Sequence, residues 1–258
     1  MVMKKIVLAI HGLGGHSGWF ARLAEELKRN GIEFYAYDLP GFGKNHNLDH
    51  DHHSPYIKGH IDSYQEWIDF TQRKYQELKA ANPGASITIL GHSLGALIAV
   101  NLTQIASGDK LILSVPGFKG ASTTFDLRFM ISTARKIIID KLLFDRDVYV
   151  EMPVSEKAKL TPAMTDPLRV GNVTQTLLFE IVKMRSLTKK NISKLTAPVL
   201  FIQMEGDKVV DNATQNQYFE MITSVNKAFK AYSGADHDWI WSDIVSPIAA
   251  DIVEWIKT

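Results

Sequence analysis

The chain has 258 residues, a length that suits one large α/β domain with room for an inserted subdomain and is ample for a buried core. Hydrophobic residues make up 45% and charged residues 22%, with a formal net charge of +1, so no overall field for nucleic acid or a membrane is implied. There is no cysteine, which excludes disulfides, zinc–thiolate sites and a cysteine nucleophile.

The first ten residues look briefly like a signal peptide, but the apolar run is too short and passes straight into His11-Gly12. Lys5–Ile10 is therefore read as a buried first strand, and no stretch is long enough to cross a membrane. A soluble, cytoplasmic protein is expected. Residues 11–17 form the loop after this strand. Trp19–Arg29 has helical spacing (Phe20, Leu23, Ala24, Leu27) and stops at Asn30-Gly31. Glu33–Asp38 is a second strand, closed by Leu39-Pro-Gly-Phe-Gly43, and Ser63–Ala81 is a long amphipathic helix ending near Asn82-Pro-Gly84. A strand and turn follow at 86–95, then a helix to about Ile105. Leu111–Val115 is another apolar strand, stopped by Pro116-Gly117. Short apolar strands alternating with helices predict an α/β fold, with a mostly parallel sheet covered by helices on both faces.

The rhythm then breaks. Between Pro116 and Leu187 there are helical patterns over Phe125–Phe144 and Asn172–Leu187 but no convincing buried strand. It resumes with a strand at Pro198–Gln203, a helix at Ala213–Ser224, a strand at Ala228–Tyr232 and a helix at Ser246–Lys257. Residues 1–115 and 188–258 are thus expected to form the core, and residues 116–187 an inserted helical cap.

The chemistry centres on Gly91-His92-Ser93-Leu94-Gly95, a G-x-S-x-G turn with an apolar strand before it and an apolar helix after it. Such a turn lifts the serine hydroxyl above the sheet edge and aims the Leu94 N–H where an oxyanion forms. A side chain at Gly91 or Gly95 would collide with the neighbouring strand or helix. A serine hydroxyl needs an adjacent base, and that base needs an acid to fix its tautomer. Loops at the carboxyl ends of later strands offer Asp207 and then His237, in the order serine, acid, histidine. Competing acids are Asp211, Asp236, Glu205 and Asp238. The loop His11-Gly12-Leu13-Gly14 offers a second oxyanion donor, the Leu13 N–H. A phosphate loop is the other reading of these glycines. It is disfavoured because no G-K-[ST] follows and no G-x-G-x-x-G is completed.

These residues resemble the α/β-hydrolase fold serine hydrolases, and more narrowly the monoacylglycerol lipase and lysophospholipase group (serine aminopeptidase S33-like). His11-Gly-Leu-Gly-Gly-His-Ser17 matches the group's H-G-x-G-x-H-S loop, and Asp38-Leu-Pro-Gly-Phe-Gly43 its D-x-x-G-x-G turn. Gly59-His-Ile-Asp-Ser63 resembles the segment opening its next helix. Asp207-Lys-Val-Val-Asp211 and Gly234-Ala-Asp-His237 resemble its acid and base loops. The resemblance implies a triad of Ser93, Asp207 and His237, oxyanion donors at Leu13 and Leu94, and cleavage of small or lipid-like carboxylic esters through an acyl-enzyme. It implies no cofactor and no nucleic-acid partner. Haloalkane dehalogenase and epoxide hydrolase chemistry is disfavoured, because those relatives carry aspartate where Ser93 stands. A non-catalytic binding module, acyl transfer, and amide, thioester or carbon–carbon cleavage stay open. The chain departs from the group at Gly95-Ala96 and at Gln203-Met204, where Met204 is expected to narrow the site.

Two further features stand outside this constellation. His46, His50, His52 and His53 lie in one polar stretch, read as a solvated loop rather than a metal site. Residues 116–190 hold 13 Lys and Arg against 8 Asp and Glu, a surplus that either solvates helix faces or attracts an anionic substrate or lipid surface. Met130, Met152, Met164 and Met184 fall in the cap, where methionine suits either an acyl pocket or ordinary packing.

Overall fold

A computed structural model describes residues 3–47, 55–102, 109–121, 149–151 and 162–258. The helix expected over 125–144, residues 103–105 of the helix expected to reach Ile105, and Met130, Met152, His50, His52 and His53 lie outside the described residues.

Six strands form one parallel sheet: β1 (Lys5–Ile10), β2 (Glu33–Tyr37), β3 (Ser86–His92), β4 (Lys110–Ser114), β7 (Val199–Met204) and β8 (Lys227–Tyr232). Their order across the sheet is β2-β1-β3-β4-β7-β8. The central strands are apolar on both faces because both faces are covered. In β1, Ile6, Leu8 and Ile10 point into one layer, and Val7 and Ala9 into the other.

The helices divide accordingly. Helices α1 (Ala21–Arg29) and α6 (Val245–Lys257) cover one face, with Leu23, Leu27, Ile248 and Ile252 against Val7, Leu90 and Leu200. Helices α2 (Gln65–Ala81), α3 (Leu94–Val100), α4 (Gln175–Asn191) and α5 (Asn212–Met221) cover the other, with Trp67, Leu97, Met184 and Tyr218 against Leu8, Ile89 and Phe201. Each such side chain contributes about 1.5–3 kcal/mol when fully buried. One buried carboxylate ties α2 to the sheet: Asp109 accepts from the Tyr75 hydroxyl at 2.7 Å, from Lys79 Nζ and from the Ile87 N–H at 2.8 Å.

The structure differs from the sequence reading by small shifts of helix ends and, more consequentially, in the following places. Residues 17–20 form a short 3₁₀ turn, so α1 begins at Ala21 rather than Trp19. Helix α3 ends at Val100, where the Asn101 side chain turns back to the Leu97 carbonyl. The stretch expected to lack a buried strand holds an antiparallel pair, β5 (Tyr149–Glu151) and β6 (Asn172–Thr174). Residues 172–174 are therefore strand, and the helix expected from Asn172 starts at Gln175, capped by Thr174 Oγ1 on the Leu177 N–H. Finally, α4 runs unbroken across the 187/188 boundary. Its last turns are bonded to the end of α3 through Asn101–Thr188 at 2.7 Å and Asn191–Asn101 at 2.9 Å.

Candidate active site

Ser93 stands between β3 and α3 with φ 54° and ψ −112°, a left-handed conformation that side chains rarely adopt. Its backbone is held on both sides. The Ser93 N–H donates to Ser114 O at 2.9 Å, and the Ser93 carbonyl accepts from Gly117 N at 3.1 Å. The flanking glycines are required by space. A Cβ at Gly91 would lie 2.5 Å from Ala96 Cα, and one at Gly95 would fall on the Ile10 carbonyl oxygen. Strand β1 and helix α3 therefore touch through backbone alone beneath the serine.

His237, on the loop after β8, places Nε2 2.8 Å from Ser93 Oγ and Nδ1 2.8 Å from Asp207 Oδ2. Asp207, on the loop after β7, accepts from the Val209 and Val210 N–H groups through its other oxygen, at 2.8 and 3.0 Å. With its carboxylate fixed, Nδ1–H is the donating nitrogen and Nε2 is free to accept the serine proton. Burial alone would lower the His237 pKa. The Asp207 charge and hydrogen bond, joined by Asp238 and Asp236, outweigh burial and raise it above the ordinary value. Asp207 is thus the carboxylate that meets the imidazole, while Asp211 caps α5 through the Thr214 N–H at 2.7 Å.

His92, in the elbow itself, is buried with its ring 5.4 Å from that of His237, and burial holds it neutral. Trp239, two residues past His237, donates to Ser114 Oγ at 2.9 Å and so ties the histidine loop to β4.

The loop after β1 passes over the serine: a Cβ at Gly12 would stand 3.1 Å from Ser93 Cβ. His11 shapes it from below. Nδ1–H donates to the Gly12 carbonyl at 2.7 Å, and Nε2 accepts from the Leu39 N–H at 3.0 Å. Both bonds need the neutral ring, and burial lowers the His11 pKa to about 4. Neither the Leu13 nor the Leu94 N–H donates to a described residue. Asp38 closes the loop's far end by accepting from the Ser17 N–H at 2.7 Å and the Lys44 N–H at 2.8 Å.

The family profile described as serine aminopeptidase, S33 matches residues 2–243. The chain belongs to that family. It is similar to the phospholipase YtpA of Bacillus subtilis, 25% identical over 237 residues that cover 90% of this chain and 87% of the relative. It is also similar to human monoglyceride lipase, 24% identical with 91% of this chain and 75% of the relative covered. Among solved structures, a Paleococcus ferrophilus monoacylglycerol lipase superimposes with a TM-score of 0.76 over 98% of this chain and 96% of that one, at 23% identity. The fold is the α/β-hydrolase fold.

Within this S33-family chain several expectations change. Met204 does not narrow the site: it is wholly buried in the layer of α1 and α6. Its neighbour Gln203 reaches Asn216 on α5. Of the two uses open to Met184, ordinary packing holds: it is wholly buried in the opposite layer. His46 is buried, not solvated. Among the described residues no cluster of histidines and carboxylates is placed to hold a metal ion, and no helix is long and apolar enough to cross a membrane.

The sequence reading also passed over the contacts of residues 117–121. Arg185 Nε donates to Gly117 O at 2.8 Å, the Ala121 N–H to Val209 O at 2.9 Å, and the Asp211 N–H to Lys119 O at 3.0 Å. The loop that orients Asp207 is thereby held by the segment leading into the insertion. Val115, at φ 39° and wholly buried, is a second strained residue beside the elbow. No local pattern in the sequence marks it.

Proposed function

We propose that this chain hydrolyses carboxylic esters through an acyl-enzyme on Ser93. His237 Nε2 takes the serine proton as Oγ attacks the ester carbonyl, and Asp207 stabilises the imidazolium. The Leu13 and Leu94 N–H groups receive the tetrahedral oxyanion. His237 then returns the proton to the leaving alcohol. In the second half water attacks the acyl group, His237 takes the water's proton, and collapse of the intermediate frees the acid and restores Ser93. The observation that carries this reading is the unbroken chain from Asp207 to His237 to Ser93, with both bonds at 2.8 Å.

The substrates are small or lipid-like esters with one acyl chain, of the monoacylglycerol or lysophospholipid kind. The names of the relatives, phospholipase and monoglyceride lipase, support this class. The described insertion up to β6 serves as the cap, with α4 counted in the core because it packs on α3. The positive surplus of residues 116–190, shared between the cap and α4, favours peripheral contact with an anionic lipid surface.

Purified protein should hydrolyse p-nitrophenyl esters and monoacylglycerols and should be modified at Ser93 by a fluorophosphonate. Ser93→Ala should lose both properties. Hydrolysis by Ser93→Ala near the unaltered rate would overturn the assignment.

A further inference from the structure

Asp166 lies in the segment that returns from the insertion to α4, more than a hundred residues from the loop it touches. We propose that Asp166 is a positioning residue for ester hydrolysis: it anchors the loop carrying the Leu13 N–H and so keeps that amide aimed at the oxyanion. The proposal rests on the reading of Leu13 as an oxyanion donor.

The loop needs such an anchor. Gly12, Gly14 and Gly15 leave its backbone with more freedom than any other residue type allows. His11 and Asp38 hold its two ends from the core. The middle is held by the returning segment. Asp166 Oδ2 accepts from His16 Nε2–H at 2.7 Å and from Trp19 Nε1–H at 3.3 Å. The donating nitrogen of His16 is fixed, because Nδ1 accepts the Gly18 N–H at 3.1 Å. Asp166 is itself fixed, since Oδ1 accepts the Leu168 N–H at 2.9 Å.

Four residues on, the Val170 N–H donates to the Gly14 carbonyl at 2.9 Å. Gly14 has φ +77°, and a Cβ there would come within 2.8 Å of Val170 O, so the two backbones meet directly. Leu13 is therefore flanked by two anchored carbonyls: Gly12, bonded to His11 in the core, and Gly14, bonded to the returning segment.

The side chains of His16 and Asp166 are only 8% and 18% exposed, so water competes weakly for the bond between them. Burial would raise the Asp166 carboxyl pKa. The His16, Leu168 and Trp19 hydrogen bonds outweigh it and hold the group ionised, the form that accepts all three.

A displaced oxyanion donor weakens binding of the transition state, not of the ground-state ester. Removing a whole donor costs about 10²–10³ in kcat, and a misplacement of about 1 Å about 10². The experiment measures Asp166→Ala, Asp166→Asn and His16→Asn on a p-nitrophenyl ester, with active enzyme counted by end-point fluorophosphonate labelling. Each should lower kcat by on the order of 10²-fold with KM little changed. The Ki of an alkyl trifluoromethyl ketone, whose tetrahedral adduct carries an oxyanion, should rise in step. The His16→Asn/Asp166→Asn double variant should lose no more than either single one.

Unchanged kcat per active site overturns the proposal. So does a loss confined to KM, or a double variant that loses the product of the two effects. Should Asp166→Ala fail to fold, the Asn variants decide the matter. Ser93→Ala separates the two levels. If it stays active, the reading of the whole site fails. If it is inactive while the Asp166 variants run at full rate, only the role of Asp166 fails.

Discussion

The half of the site borne by the sheet and the half borne by the insertion are built on different terms. Ser93, Asp207 and His237 each sit one short loop beyond a strand of the same parallel sheet, so the fold delivers them to one edge. The returning segment has no such guarantee. Asp166 reaches His16 and Trp19, Val170 reaches Gly14, and Thr174 reaches Gly59 and His60 through hydrogen bonds, with Val170 and Val173 buried beneath them. The proposed nucleophile and base depend mainly on the core's packing, with one bond from the Gly117 N–H, at the start of the insertion, to the Ser93 carbonyl. The oxyanion loop depends on a segment that a change in the insertion could move. The difference teaches that one fold can separate making a nucleophile from aiming the groups that stabilise the oxyanion its attack creates.

Substitutions can break this comparison in graded steps. Loss of the base in His237→Ala should cost on the order of 10⁶ in kcat without unfolding the protein, checked by circular dichroism beside the kinetic assay. Asp207→Asn should cost on the order of 10⁴, because the amide favours the wrong imidazole tautomer. It should also move the pH profile. The base works only when neutral, so kcat/KM of the unaltered chain should fall as pH drops through the raised His237 pKa. Without the carboxylate that raises it, the acid limb should shift to lower pH. A limb that stays in place would remove Asp207 from this role.

Gly14→Ala strikes the other half. The new Cβ meets Val170 O and a positive φ, so the loop must shift, with kcat expected to fall about 10²-fold while the fold persists. Gly95→Ala, whose Cβ would fall on the Ile10 carbonyl under the sheet, should instead yield no folded protein, as judged by soluble yield and melting.

A further effect concerns stability rather than rate. His11 titrates at about 4 folded against an ordinary 6.5, so its contribution is complete above pH 6.5 and is lost as pH falls toward 4. The loss is on the order of 3 kcal/mol, and His92, also lowered by burial, adds in the same direction. The urea midpoint should fall between pH 7 and pH 4.5. A flat midpoint would mean that burial does not lower the pKa of these rings.

The sheet was legible in the sequence because its central strands are apolar on both faces and lie between strong turn residues. The Ser93 elbow was legible because crowding at Gly91 and Gly95 admits no side chain, which leaves a local pattern. His11 and Asp38 were visible as motif residues, though their bonds to Gly12, Leu39, Ser17 and Lys44 were not. Strands β5 and β6 escaped because three residues are too few to display a period of two. The start of α4 was misplaced because Thr174 serves both as the last strand residue and as the helix cap. Asp166 left no trace, since an isolated aspartate before a proline looks like any turn residue. Its meaning lies in His16, and no local window contains both.

Because all six strands run the same way, the groups of the candidate site lie along one rim, and the connections at 30–32, 82–85 and 222–226 lie along the other. There Gly31 and Gly84 have open space where a side chain would go, and Val225 projects fully into solvent. That quiet rim is where a fluorophore, a surface tether or a fused partner can be attached with the catalytic edge left facing outward.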